Sequence, residues 1–238
     1  MNYKTIYNEY QHSDYGWLKG IFIDNYARIF SPFITRVALK LKMIPNVVTL
    51  CMIIFGIIGA ALFALPQLWC KILGTFFIHL WYITDLSDGE VARITKRFSK
   101  YGTDIDYYAH MINHPLYIAA FGYSFIQLGY DTVWVLIAMF VYVTAELSIR
   151  IVYCFELMHL KDDNNAGQSN GTLNISFTYL IRFVFTNLCE FPNTALIYPI
   201  IFMLSAKIGF YYFLFFTMVN LLFIVTKFVF RLKYMLDK

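Results

Sequence analysis

Asp85-Leu86-Ser87-Asp88-Gly89-Glu90-Val91-Ala92-Arg93 closes one apolar stretch, and Gly102-Thr103-Asp104-Ile105-Asp106-Tyr107-Tyr108-Ala109-His110 opens the next. Charges placed inside apolar spans cost ~2.5 to 3.5 kcal/mol each on insertion scales, so a cluster of them needs a compensating partner. At about 100° per helical residue, Asp85, Asp88, Gly89 and Ala92 share one stripe, and Gly102, Asp106, His110 and Asn113 share another. The short connection between the two stretches brings the stripes face to face, and Asp85, Asp88 and Asp106 then converge. Three carboxylates share a low-dielectric site only when protonated or bound to cations. A hard divalent metal with oxygen ligands is the natural solution. Gly89 and Ala92 leave room for a ligand against the helix. Arg93 and the basic run Lys96, Arg97 and Lys100 add the positive charge a diphosphate requires. Together these features imply a metal-bridged nucleotide diphosphate, held where charge can be drawn from the phosphoryl oxygens during a displacement.

The sequence around this cluster sets the fold. Of its 238 residues 59% are apolar, 20% aromatic and only 14% charged, too much apolar surface for a soluble domain of that size. Several apolar stretches each approach the ~20 residues that cross a hydrocarbon core as helix. A transmembrane β-barrel would instead show ~10-residue alternating segments. The expected fold class is all-α integral membrane, with six transmembrane helices at about 46–65, 70–92, 103–128, 132–156, 191–206 and 208–230. Pro192 and Pro199 fall in the fifth span, and the apolar stretch before it, 175–189, carries Arg182 and reads as an interfacial helix. An amphipathic helix is expected at about 17–42, where Trp17, Ile21, Phe22, Ile29, Phe30 and Phe33 alternate with Lys19, Arg28, Arg36, Lys40 and Lys42. That mixture suits an anionic membrane surface, and Pro45 ends it ahead of the first span.

If the N-terminus faces the cytoplasm, Lys71 and Lys207 are the only two of the nineteen basic residues left on the far side. This places both termini and the acidic cluster on the cytoplasmic side of a multi-pass protein, where nucleotides are found. The polar N-terminus carries no evident signal peptide. Cys51, Cys70, Cys154 and Cys189 lack paired spacing and read as core residues. With no internal repeat and no dividing linker, residues 1–238 read as one domain, and the polar stretch 161–171 as a solvated loop.

The string from Asp85 to His110 resembles the signature of the CDP-alcohol phosphotransferase (CDP-alcohol phosphatidyltransferase) family, D-x2-D-G-x2-A-R-x8-G-x3-D-x3-D. Asp85, Asp88, Gly89, Ala92, Arg93, Gly102 and Asp106 match in identity and spacing, while the last position is His110. Pro45-Asn46-Val47-Val48-Thr49 also resembles the usual opening of the family's first span. The resemblance implies that Asp85, Asp88 and Asp106 bind one or two divalent metal ions, Mg²⁺ or Mn²⁺, and that Gly89, Ala92, Arg93 and Gly102 line the CDP moiety of the donor. It further implies that His110 takes the place of the family's final metal ligand and base. A neutral imidazole keeps the base role, but as a ligand it suits Mn²⁺ or Zn²⁺ better than Mg²⁺. The implied activity is transfer of a substituted phosphate from a CDP-activated donor, CDP-diacylglycerol or a CDP-linked head group, to a lipid or small polar alcohol acceptor, with release of CMP. Membrane lipids and a second copy in a homodimer are the implied partners, and no nucleic acid is expected. A catalytically inactive binding protein or a transporter is the alternative. A prenyltransferase would show two separate aspartate-rich motifs instead of one compact cluster.

The remaining polar residues in apolar runs have simpler readings. Glu146 and Arg150 are spaced for a helical ion pair, with Arg150 a possible phosphate contact. His79 and His114 read as satisfied core histidines, with His114 one turn beyond His110. Asn220 and Lys227 are expected to bond a neighbour or snorkel.

Overall fold

The computed structural model describes residues 1–11, 22–162 and 190–236, and among these every regular element is helical. A short N-terminal turn, α1 (Tyr3–Thr5), runs into a π-helical segment, Ile6–Tyr10. Seven longer helices follow: α2 (Phe22–Lys40), α3 (Pro45–Phe63), α4 (Leu68–Thr95), α5 (Gly102–Gln127), α6 (Thr132–Asp162), α7 (Phe191–Leu204) and α8 (Ala206–Leu236). The interfacial helix expected at 175–189, residues 17–21 of the amphipathic helix and most of the loop at 161–171 lie outside the described residues; Lys161 and Asp162 end α6.

Three helices among the described residues are long and apolar enough to cross a membrane: Pro45–Phe63, Thr132–Val152 within α6, and Ala206–Val229 within α8. These coincide with the first, fourth and sixth expected spans. The second and third correspond to α4 and α5, of 28 and 26 residues, whose facing ends carry Asp85, Asp88, Glu90 and Arg93 and Asp104, Asp106 and His110. Their length suffices, and the functional residues dilute their apolar character. The fifth, α7, is apolar but only 14 residues long, because Ser205 adopts an extended backbone and ends it. At 1.5 Å per residue it reaches roughly 21 Å, short of a ~30 Å hydrocarbon core.

Packing is closest between α3 and α4, and glycine is the reason. A Cβ on Gly74 would lie 2.6 Å from the backbone nitrogen of Phe63 and 2.8 Å from the carbonyl oxygen of Gly59, and one on Gly59 would meet the backbone of Ile78 at 3.0 Å. Small residues that let helix backbones touch are the usual means of association where lipid removes the hydrophobic drive. A side chain at 74 has no flexible neighbour to displace. Gly74→Val is therefore expected to separate the two helices and cost more than ~3 kcal/mol, read as a lowered unfolding temperature in detergent; an unchanged temperature would refute the close contact. Around this pair, Phe63, Trp81, Tyr117, Phe121, Phe125, Tyr198, Phe202 and Phe213 form the aromatic core, with α7 and α8 closing it.

The helix α2 lies against α4. Pro32 within it lacks the N–H that would bond the Arg28 carbonyl, and the Gln11 side chain donates to that carbonyl instead, at 2.8 Å. The N-terminal segment is thereby fastened over the end of α4. The chain then turns at Leu41 and Lys42, the latter in the left-handed region at φ 54°, and Pro45 begins α3 with Ile44 as its extended N-cap.

Candidate active site at the facing ends of α4 and α5

The turn from α4 to α5 is made by Lys96, left-handed at φ 54°, followed by residues 97–101. It sends α5 back along α4, and the two acidic helix ends meet as the sequence spacing anticipates. Asp85, Asp106 and His110 each offer a ligand atom, and these atoms lie within 4.8 Å of one another. His110 Nε2 is 3.5 Å from Asp85 Oδ1 and 3.7 Å from Asp106 Oδ1. Asp106 Oδ1 is shielded from solvent yet has no hydrogen-bond partner. An orphaned carboxylate oxygen between an imidazole nitrogen and a second carboxylate is what a divalent cation would satisfy. The donor set, two carboxylates and one imidazole, suits Mn²⁺ at least as well as Mg²⁺.

Asp88 is not part of this triad. It stands on the next turn of α4 and accepts a hydrogen bond from Thr49 Oγ1 at 2.7 Å. Thr49 belongs to the first turns of α3, so the Pro45–Thr49 segment enters the site through one hydroxyl. Beside the triad a cavity of about 190 Å³ is lined by Gln11, Arg28, Asp85, Leu86, Asp88, Gly89, Glu90, Arg93 and Asp106. Of the residues singled out in the sequence, Asp85, Asp88, Gly89, Arg93 and Asp106 face this cavity, whereas Ala92, Gly102 and His110 are not in its lining. Gly102 begins α5, its N–H donating to Ser99 O at 3.2 Å. The room left by Gly89 is shared with an arginine: a Cβ there would sit 3.1 Å from an Arg93 guanidinium nitrogen. Arg93 Nε donates to the Tyr10 carbonyl at 2.5 Å, which lays the guanidinium across the glycine face.

Three cavity residues, Gln11, Arg28 and Glu90, escape sequence reasoning. Gln11 and Arg28 reach the cavity from the N-terminal segment and α2, with Arg28 Nε donating to Gln11 Oε1 at 2.9 Å. Glu90 and its partners make a buried polar knot behind the cavity: Ser31 Oγ and Thr35 Oγ1 each donate to its carboxylate at 2.5 Å, and Gln11 Nε2 at 3.0 Å. Ser31, Thr35 and Glu90 are all buried, so a carboxylate on α4 and two hydroxyls on α2 hold the helices together. The available signals were Pro32, whose missing donor demands an outside partner for Arg28 O, and an unassigned acid one residue past Gly89.

The lesser candidates divide. His114 and Glu146 are fully enclosed and bonded to each other, and Arg150 pairs with Glu146 Oε1 at 3.2 Å, which favours the structural reading of that pair. His79 packs edge-on against Tyr26, and Asn220 bonds its own helix at Phe216 O, not a neighbour. Lys71, expected on the far side, is buried and donates to Phe63 O and Ser124 Oγ, capping the C-terminal end of α3. Lys227 lies over the Phe223 ring, and Cys51, Cys70 and Cys154 are free thiols.

Among the described residues, an all-helical bundle with membrane-length apolar helices holds a carboxylate and imidazole triad beside a polar cavity, an arrangement suited to a divalent cation and a charged ligand. The family model for CDP-alcohol phosphatidyltransferase matches residues 42–226, and the chain belongs to that family. Its members are transferases that move phosphatidyl or phosphoryl groups from a CDP-alcohol to an alcohol, with a general dependence on divalent metal. No individual curated protein matches the chain significantly.

Proposed function

We propose that this protein transfers a substituted phosphate from a CDP-activated donor to an alcohol and releases CMP, in the synthesis of a phospholipid or related head group. The observation that carries this reading is the meeting of Asp85, Asp106 and His110 beside a cavity walled by Asp88, Gly89 and Arg93. Asp85, Asp106 and Asp88 would hold one or two Mg²⁺ or Mn²⁺ ions, with His110 Nε2 beside them. The ion, when bound, neutralises charge on the phosphoryl oxygens.

The chain's own residues supply the rest. Arg93, fixed by Tyr10 O, meets the donor diphosphate with a guanidinium. Gly89 keeps the helix face low enough for the donor to lie beside it, while Ala92 and Gly102 border the CDP moiety at the outer edge. Thr49 holds Asp88 toward the cavity. The acceptor hydroxyl attacks the phosphorus distal to cytidine; the bond to the CMP phosphate breaks, and the hydroxyl proton passes to His110 Nε2. Six crossings, with the bilayer thinned around the short α7, cytoplasmic termini and a cytoplasmic site complete the proposal, supported by the distribution of basic residues. The α2 helix would lie at the membrane surface with Phe30, Phe33 and Val37, all exposed, toward lipid. By resemblance to the family, two copies would associate in the membrane.

CDP-diacylglycerol is the favoured donor, since it is already a membrane lipid. The test incubates purified protein with CDP-diacylglycerol, and separately with CDP-linked head groups, and measures CMP with and without an alcohol. Metal-dependent CMP release that requires an alcohol is expected with one donor class. CDP binding without CMP release from any donor would overturn the assignment in favour of a binding protein. His110→Asp separates the two roles of the imidazole: with a carboxylate in its place, activity is expected to shift from Mn²⁺ toward Mg²⁺. An unchanged metal preference would show that His110 acts as base alone.

A further inference from the structure

Behind His110 a line of bonded groups runs away from the cavity into the bundle. His110 Nδ1 is 3.3 Å from His114 Nε2, and His114 Nδ1 is 2.8 Å from Glu146 Oε1. Trp81 packs edge-on against both imidazoles, and Phe191 stacks on His114 with ring centres 3.8 Å apart. Arg150 closes the line, and its backbone carbonyl accepts from the Tyr107 hydroxyl. His114 is 0% and Glu146 4% exposed, so this chain is assembled away from water.

We propose that Glu146, acting through His114, is a positioning residue that holds His110 in the tautomer with an unprotonated Nε2 at the carboxylate cluster. This rests on reading the Asp85, Asp106 and His110 cluster as the reaction centre. The direction of each hydrogen bond follows from what the groups can do. A carboxylate only accepts, and Glu146 Oε1 lies 2.8 Å from His114 Nδ1, so that nitrogen carries the proton. The neutral His114 ring then holds its lone pair on Nε2, 3.3 Å from His110 Nδ1. Arg150 Nε is 3.2 Å from both Glu146 Oε1 and His114 Nδ1, and with Nδ1 already a donor its hydrogen goes to the carboxylate. His110 Nδ1 must therefore donate to His114 Nε2, which leaves His110 Nε2 bare between Asp85 and Asp106.

A lone pair aimed at two carboxylates is repelled unless a cation or a hydroxyl proton lies between them. Metal ligation and proton acceptance both need that lone pair, so the line serves either role. Carboxylates that orient a functional imidazole through its other nitrogen are common around metals. Here the carboxylate is set back by one histidine. Neither Glu146 nor His114 touches the cavity, and neither is a catalytic residue.

The test is ¹⁵N NMR of histidine-labelled, Mg²⁺-loaded protein in nanodiscs, which distinguishes protonated from unprotonated ring nitrogens. Wild-type His110 is expected to be protonated at Nδ1 and unprotonated at Nε2. In Glu146→Gln the amide can donate to His114 Nδ1, reversing the line and moving the His110 proton to Nε2. CMP release is then expected to fall roughly 10- to 100-fold, in kcat and not in KM for the donor, because the cavity wall is intact. Glu146→Asp, which can only accept, is expected to restore the wild-type tautomer. A wild-type His110 protonated at Nε2 overturns the proposal, and that measurement needs no variant to fold. A Glu146→Gln protein that keeps the wild-type tautomer overturns it as well. The expected tautomer in a protein that releases no CMP from any donor supports the positioning line and overturns only the reaction assigned to the site.

Discussion

Replacing His110 with alanine is expected to lower CMP release by about 10² to 10⁴, the range that a positioned proton acceptor contributes, while the CDP donor still binds. The reason is geometric. His110 supplies the only imidazole nitrogen at the triad, 3.5 Å and 3.7 Å from the two carboxylates, yet it is not in the cavity lining where the donor would rest. The donor's contacts, through Arg93 and the Gly89 face, survive the substitution. Turnover with saturating donor, set beside equilibrium binding of a CDP analogue, separates the two effects. Activity near wild type would remove His110 from the chemistry, and loss of donor binding would place it in the cavity wall instead.

Glu90→Leu is expected to have a large effect on folding. The substitution keeps roughly the same bulk but removes the acceptor for Ser31, Thr35 and Gln11, of which Ser31 and Thr35 are fully buried. A buried donor left without a partner costs ~1 to 3 kcal/mol, and two hydroxyls are stranded at once, giving a loss of roughly 2 to 6 kcal/mol. Gln11 keeps Arg28 O as an acceptor, so it contributes less. The damage would spread to the cavity, because Gln11 and Arg28 line it and are held there by this knot. Thermal unfolding in detergent and protease sensitivity of the N-terminal segment measure the two consequences. A variant as stable as wild type would show that Glu90 is not the tie between α2 and α4.

How much of this was legible in the sequence depends on the range of the interaction. The facing of α4 and α5 was legible, because both acidic stripes sit within one hairpin, and helical periodicity fixes which side chains meet across it. Asp85, Asp106 and His110 meet for that reason. Asp88 was placed with them by the same periodicity, but a neighbour from α3, Thr49, claims one of its oxygens, and no local pattern specifies a partner 39 residues away. Gln11, Arg28 and Glu90 were invisible because their meeting depends on how α2 crosses α4. The pairing of Glu146 with Arg150 followed from their spacing, whereas the link from Glu146 through His114 to His110 required α5 and α6 to be seen side by side. Length and apolar content identified α3, α6 and α8, and bounded α7 to within two residues, its end being set by a backbone change at Ser205.

The backbone contact between Gly59 and Gly74 lies far from the chemistry, yet α3 and α4 both continue from it to the site, where Thr49 meets Asp88. Gly74 and Asp88 are separated by fourteen residues of helix, roughly 21 Å at 1.5 Å per residue. Over such an arm a tilt of about 5° sweeps the acidic end by roughly 2 Å, more than the ~1 Å misplacement that can cost ~10²-fold in rate. The glycine contact is therefore the fulcrum of the candidate site. Kinetic defects from lesions near it would arise by leverage, with every residue of the triad still present.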